Sequence, residues 1–231
     1  MSSIEANLQQ VRQRITRACD GARRPEQSVT LLAVSKTFGA TQVREAHAAG
    51  QRDFGENYVQ EALAKIEALA ELRPRLSWHL IGPLQSNKTR VVAEHFDWVH
   101  SVDRLKIAMR LAEQRPAGLA PQQLCLQVNI SGEASKSGLR PDEVPAVALA
   151  VAALPRDRVR LRGLMAIPEP AGDFAAQRAA HRALRELLAA VNDGGLALDT
   201  LSMGMSADLE AAVAEGATIV RIGTAIFGAR G

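Results

Sequence analysis

The 231-residue chain has 28 basic against 25 acidic residues, 47% hydrophobic residues and only 3% aromatic ones. Such values belong to a soluble globular protein, long enough for one α/β barrel, with a core built from Leu, Val, Ile and Ala. A formal charge of +3 without a basic block of five offers nucleic acid no concentrated basic face, and no apolar run of 18 residues is present to span a membrane.

In chain order, the N-terminus MSSIEANLQQVRQRI carries Glu5 and no apolar h-region, so it is not a signal peptide. It reads instead as a helix over 3–20, with Ile4, Leu8, Val11 and Ile15 at helical spacing. Candidate strands follow at 30–35, 52–55, 77–81, 97–100, 123–130, 159–165, 199–203 and 218–222. Helical patterns lie between them at 41–49, 57–72, 86–95, 103–115, 141–153, 173–192 and 206–215. Thr41, Asp103, Pro141 with Asp142, and Asp173 supply start signals. Strands alternating with helices predict parallel βαβ units, and eight such strands close a barrel. No G-x-G-x-x-G follows the first strand, so an open dinucleotide-binding sheet has no support. The expected fold is one domain over 1–231, a (β/α)8 TIM barrel with an extra N-terminal helix. Cys19 and Cys125 lack metal-ligand spacing and fit reduced thiols in the cytoplasm, and no metal site is expected.

In such a barrel the C-terminal ends of all strands meet at one mouth. The first strand, TLLAVSK, ends on Lys36. A strand-end lysine is ordinarily solvated, but one desolvated at a barrel mouth becomes a free amine able to attack a carbonyl. The second and third strands deliver Glu56, Asn57 and Tyr58, then His79, Gly82, Gln85, Ser86, Asn87 and Lys88. His100, Asn129 and Met165 follow the next three. His79 and His100 sit in no metal-binding pair and are expected to be hydrogen-bonded structural residues, while Trp78 and Trp98 are expected to pack between barrel and helices. After strand seven, SMGMS brings Ser202, Gly204 and Ser206 into a helix with Asp208 in its first turn. After strand eight, Gly223 and Thr224 repeat that pattern. Glycine lets backbone approach an anion, hydroxyls donate to it, and barrel phosphate sites are frequently built from these two loops. An amine opposite a phosphate site implies a ligand with a carbonyl at one end and a phosphate at the other. A phosphorylated sugar and pyridoxal 5′-phosphate both satisfy that description.

Seven segments carry a resemblance. AVSKTF (33–38), FGENYVQE (54–61), WHLIGPLQSNKTR (78–90) and QVNISGEASKSG (127–138) resemble the pyridoxal phosphate homeostasis proteins. So do RGLMAIP (162–168), LSMGMSADLEAAVAEGAT (201–218) and RIGTAIFGAR (221–230). That family resembles in turn the N-terminal barrel of bacterial alanine racemases. The resemblance implies that pyridoxal 5′-phosphate is held covalently as a Schiff base on Lys36. It implies phosphate contacts from Ser206, Gly223 and Thr224, helped by the backbone at Met203 and Gly204. Arg221 would lie near the pyridine ring or phosphate, where an arginine keeps the ring nitrogen unprotonated and weakens the ring as an electron sink. Asn57, His79, Asn129 and Met165 would line the cofactor face.

A two-base racemase needs an acid/base on each face of a planar carbanion. In alanine racemase the second is a tyrosine from an extra domain; here Tyr58 is the one tyrosine and the sequence runs out just after the eighth strand. The expectation is therefore a non-catalytic, monomeric pyridoxal phosphate carrier acting in vitamin B6 homeostasis, with an indirect effect on amino-acid metabolism. Apoenzymes that use pyridoxal phosphate are its candidate partners. The alternatives are a weak racemase or a Schiff-base aldolase, and Lys88 or Lys136 is a candidate second, transient cofactor site.

Overall fold

Ser3 opens the leading helix by accepting a hydrogen bond from Ala6 N–H (3.2 Å), the N-cap arrangement that satisfies an otherwise orphaned donor. The helix, α1 (Ile4–Gly21), buries Leu8, Val11, Ile15 and Cys19 along one face. The computed structural model describes residues 3–132 and 137–228.

Eight strands follow: β1 (Thr30–Val34), β2 (Asp53–Glu56), β3 (Ser77–Leu80), β4 (Trp98–Val102), β5 (Gln122–Gln127), β6 (Val159–Met165), β7 (Thr200–Ser202) and β8 (Ile219–Ile222). Each is followed by a helix: α2 (Ala40–Ala48), α3 (Val59–Ala68), α4 (Thr89–His95), α5 (Leu105–Gln114), α6 (Val144–Ala152), α7 (Phe174–Asp193), α8 (Leu209–Ala214) and α9 (Thr224–Phe227). All neighbouring strands are parallel and in sequence order, and β8 closes onto β1 through Thr30↔Ile219 to Ala33↔Ile222. The expected TIM barrel is thus what the chain forms, with α1 as the helix outside the eightfold repeat, packed on α2, α8 and α9.

Outward residues of the strands, such as Leu31, Ala33, Phe54, Trp78 and Leu80, join helix side chains in one core between barrel and helices. The barrel interior is different. The hydrogen bond between His100 and Ser202 joins β4 to β7, which are not neighbours, so it crosses the lumen (2.7 Å). Trp98 lies two residues before His100 and shares its face. It stacks on His79 at 5.3 Å and carries the Arg162 guanidinium over its ring. This corrects the expectation that Trp98 packs against the helices; Trp78 does.

Several boundaries also move. The helix expected over 57–72 is α3 followed by a 3-10 stretch, Ala70–Arg75, containing Pro74. The segment 86–95 opens with a 3-10 turn, Ser86–Lys88, before α4. The strand expected to reach residue 130 stops at Gln127, because Val128 bridges to Leu139 as the following loop returns. The helix expected from 206 begins at Leu209.

Candidate functional site

At the end of β1, Ser35 to Phe38 make a turn closed by Phe38 N–H donating to Ser35 O (3.1 Å). Lys36 and Thr37 are its central residues, and Lys36 is half-buried. The alternation that turns Leu32 and Val34 away from the outer core continues to Lys36. Thr37 has φ 69°, a position that favours glycine and is an outlier for a β-branched residue, at a cost of about 1–3 kcal/mol. A buried cluster holds the turn in place. Glu61 accepts from Thr37 N–H (2.6 Å), and Ser35 Oγ donates to Glu56 Oε1 (2.5 Å). Lys65 Nζ donates to Ser35 O (2.6 Å) and Glu56 Oε1 (2.7 Å), and its third contact is Glu61 (2.7 Å). Burial raises the pKa of Glu56, and the Lys65 ammonium and the Lys65 and Ser35 hydrogen bonds pull it back.

Arg221, at the end of β8, enters the lumen and is almost fully buried. It donates to Ser202 O (2.6 Å), Ser202 Oγ (2.9 Å) and Ala166 O (2.9 Å). Burial lowers its pKa to about 10, so it stays a cation at neutral pH. Among the described residues no carboxylate pairs with it within 4.0 Å, which makes it a buried charge suited to an anionic or electron-rich partner. A relay runs from it through Ser202 to His100 Nδ1 (2.7 Å), from His100 Nε2 to His79 Nδ1 (2.9 Å), and from His79 Nε2 to Ser77 Oγ (2.9 Å) and Asp53 Oδ1 (3.3 Å). A carboxylate only accepts, so the Asp53 end sets the proton order: His79 donates from Nε2, His100 donates from Nε2 to His79 Nδ1, and Ser202, which accepts from Arg221, donates to His100 Nδ1. Burial, with His79 and Arg221 nearby, keeps His100 well below the usual imidazole pKa and therefore neutral.

Beside Arg221 lie the loops after β7 and β8. Gly204 has φ +94°, and a Cβ there would lie 2.4 Å from Ala212 Cβ, so only glycine fits. Its carbonyl accepts from Arg221 N–H (2.9 Å). Asp208 folds back to accept from Met205 N–H (2.6 Å) and from His181 (2.9 Å). Burial alone would raise its pKa; those bonds hold it below the usual value. Within the described residues, the backbone N–H groups of Ser206, Ala207, Gly223, Thr224 and Ala225 take no hydrogen bond, and they form a concentrated set of donors for an anion. Gly223 abuts Val34, its notional Cβ 3.2 Å from Val34 O, which places this loop beside the strand that ends at Lys36.

The opposite half of the mouth is a cavity of about 290 Å³ lined by Asn57, Ile81, Gly82, Asn129, Ser137 and Ile167. Gly82 packs directly on Asn57, where a Cβ would stand 2.1 Å from Asn57 O. Asn57 Oδ1 is buried there without a hydrogen bond among the described residues. Of the residues singled out in the sequence, Lys36, Asn57, Asn129, Ser206, Gly223 and Thr224 stand at the rim. Met203 puts its side chain into the outer core, leaving its backbone to the loop, and Met165 is fully buried at the end of β6. His79 lies one layer deeper than the cofactor face expected for it, with both ring nitrogens engaged in the relay. Lys88 closes the 3-10 turn before α4, and Lys136 lies outside the described residues. Sequence reasoning missed Lys65, whose one signal was the Glu61–Lys65 spacing of four on a helix.

The profile of the alanine racemase N-terminal domain matches residues 1–231. A pyridoxal phosphate homeostasis protein from Pseudomonas aeruginosa is 66% identical over 230 residues, covering 100% of this chain and 97% of that protein. The chain belongs to the pyridoxal phosphate homeostasis protein family. A solved structure in reach of this family is PipY of Synechococcus elongatus PCC7942, described with PLP bound: TM-score 0.80, 43% identity, 93% of this chain and 100% of PipY covered. An alanine racemase from Clostridium difficile 630 superposes with TM-score 0.71 at 13% identity, over 92% of this chain and 58% of the racemase, a likeness of fold alone.

Proposed function

We propose that this chain binds pyridoxal 5′-phosphate at the barrel mouth, as a Schiff base on Lys36, and serves vitamin B6 homeostasis by holding and delivering the cofactor. The observation that carries the reading is the meeting, on one rim, of the Lys36 turn, five backbone donors unbonded among the described residues, and the Arg221 cation, which has no carboxylate partner among them. The residues fit the group. The amides of Ser206, Ala207, Gly223 and Thr224 would receive its phosphate, Arg221 would face its ring, and Asn57 Oδ1 offers a buried acceptor on the other side. When bound, the cofactor supplies an aldehyde for the lysine and a ring able to delocalise charge. The chain's own residues limit that second property. Arg221 remains protonated, so it can only donate to the ring nitrogen and cannot stabilise a proton there, and the relay behind it fixes its place. The role is accordingly that of a non-catalytic carrier, monomeric and cytoplasmic, with apoenzymes that use pyridoxal phosphate as recipients. Its two cysteines, both free and buried, suit a reducing compartment. No helix among the described residues is long and apolar enough to cross a membrane.

The test is a titration of the purified protein with pyridoxal 5′-phosphate, followed in the near-visible where a protein-bound Schiff base absorbs. A saturable band in the wild type that is lost in Lys36→Ala supports the reading; a colourless wild type overturns it. Incubation with a panel of D- and L-amino acids separates carrier from enzyme, since sustained turnover would favour a racemase.

A further inference from the structure

α1 precedes the eightfold repeat, yet two of its polar side chains reach the loop after β7 and the short helix that follows the β8 donors. Asn7 and Arg14 are seven residues apart, two helical turns, and so project from one stripe of the helix. Asn7 Nδ2 donates to Ile226 O (2.9 Å), in α9. Arg14 donates to Ser206 O (3.1 Å), and its guanidinium is itself oriented by Glu210 through bonds of 3.0 and 2.9 Å. These acceptors sit at informative places. In a trans peptide the N–H points opposite to the carbonyl, so fastening Ser206 O to α1 turns the unbonded Ala207 N–H away from α1. Fastening Ile226 O ties one end of α9, and the unbonded N–H groups of Gly223 and Thr224 lie at the other.

We propose that α1 positions the phosphate-binding loops, with Asn7 and Arg14 as the positioning residues. The inference rests on the reading that these loops take the cofactor's phosphate. Their role is geometric rather than electrostatic: Asn7 is uncharged, and the charge of Arg14 is neutralised by Glu210.

Pyridoxal, which shares the aldehyde and lacks the phosphate, makes the test specific. Full-length wild type, Asn7→Leu, Arg14→Met and Arg12→Met are each titrated with pyridoxal 5′-phosphate and with pyridoxal. Arg12 is the control, because it ties α1 to Ala49 O (2.9 Å), away from these loops. The expected result is an affinity for pyridoxal 5′-phosphate reduced about tenfold in Asn7→Leu and in Arg14→Met. Pyridoxal affinity is expected to be unchanged in both, and the retained binding certifies the fold. Arg12→Met leaves the ratio of the two affinities as in the wild type. Equal losses for both ligands, or an unchanged ratio in Asn7→Leu and Arg14→Met, overturn the proposal. A wild type that binds both ligands equally would instead overturn the phosphate reading, and this proposal with it.

Discussion

Replacing Lys65 by methionine removes the centre of the cluster that holds the Lys36 turn. Lys65 is 4% exposed and Glu56 is fully buried, with Oε2 already lacking a hydrogen bond. Methionine keeps much of the stem's volume but strands the Glu56 carboxylate and takes one donor each from Ser35 O and Glu61, which keep their bonds from Phe38 N–H and Thr37 N–H. Removing one partner of a buried pair costs about 3–5 kcal/mol, a large share of a total stability of roughly 5–15 kcal/mol. Urea denaturation reads this as a lower midpoint at constant slope. Adding Glu56→Gln to the variant neutralises the stranded charge and should recover about 2 kcal/mol. The pH dependence has a definite sign. Burial raises the Glu56 pKa from its ordinary 4.5, so the native state binds this proton more tightly than the unfolded chain. Its contribution is fullest below 4.5 and is lost as pH rises through the folded pKa. Losing Lys65 removes what pulls that pKa back, so the penalty is greatest at neutral pH and shrinks on acidification. A penalty below about 1 kcal/mol, or one independent of pH, would refute the reasoning.

Three further expectations follow from the site. Gly204→Ala forces a side chain into φ +94° and to within 2.4 Å of Ala212, and should cost about 2–4 kcal/mol in denaturation while weakening cofactor binding. His100, kept neutral by burial, should show an unprotonated Nδ1 in nitrogen NMR at neutral pH and at 6.5, where an ordinary imidazole is half protonated; because its folded pKa lies below the ordinary 6.5, its contribution to stability is present above that value and fades as pH falls below it. Cys125, whose thiol burial pushes up to about 12, should resist alkylation at pH 8 until the protein is unfolded.

The barrel was legible because short apolar runs alternated eight times with amphipathic helices, and the rim residues followed from it. What escaped the sequence depends on contacts between distant segments. His100 and Ser202 are 102 residues apart, so nothing local announces their bond or the polar lumen it implies. Trp98 and His100 did share a strand face, but not which face. The α-to-3-10 change after Ala68 leaves the apolar periodicity intact, and the late start of α8 reflects Asp208 bonding back to Met205 rather than a propensity. The place of Lys65 is likewise set between separate segments, by its ion pair with Glu56 at the end of β2.

The most direct test of the account locates the covalent bond. Protein loaded with pyridoxal 5′-phosphate is reduced with borohydride, digested, and its peptides are mapped by mass spectrometry. The account predicts one principal adduct, on the peptide carrying Lys36; an adduct on Lys88 or Lys136 in its place, or none at all, would contradict it.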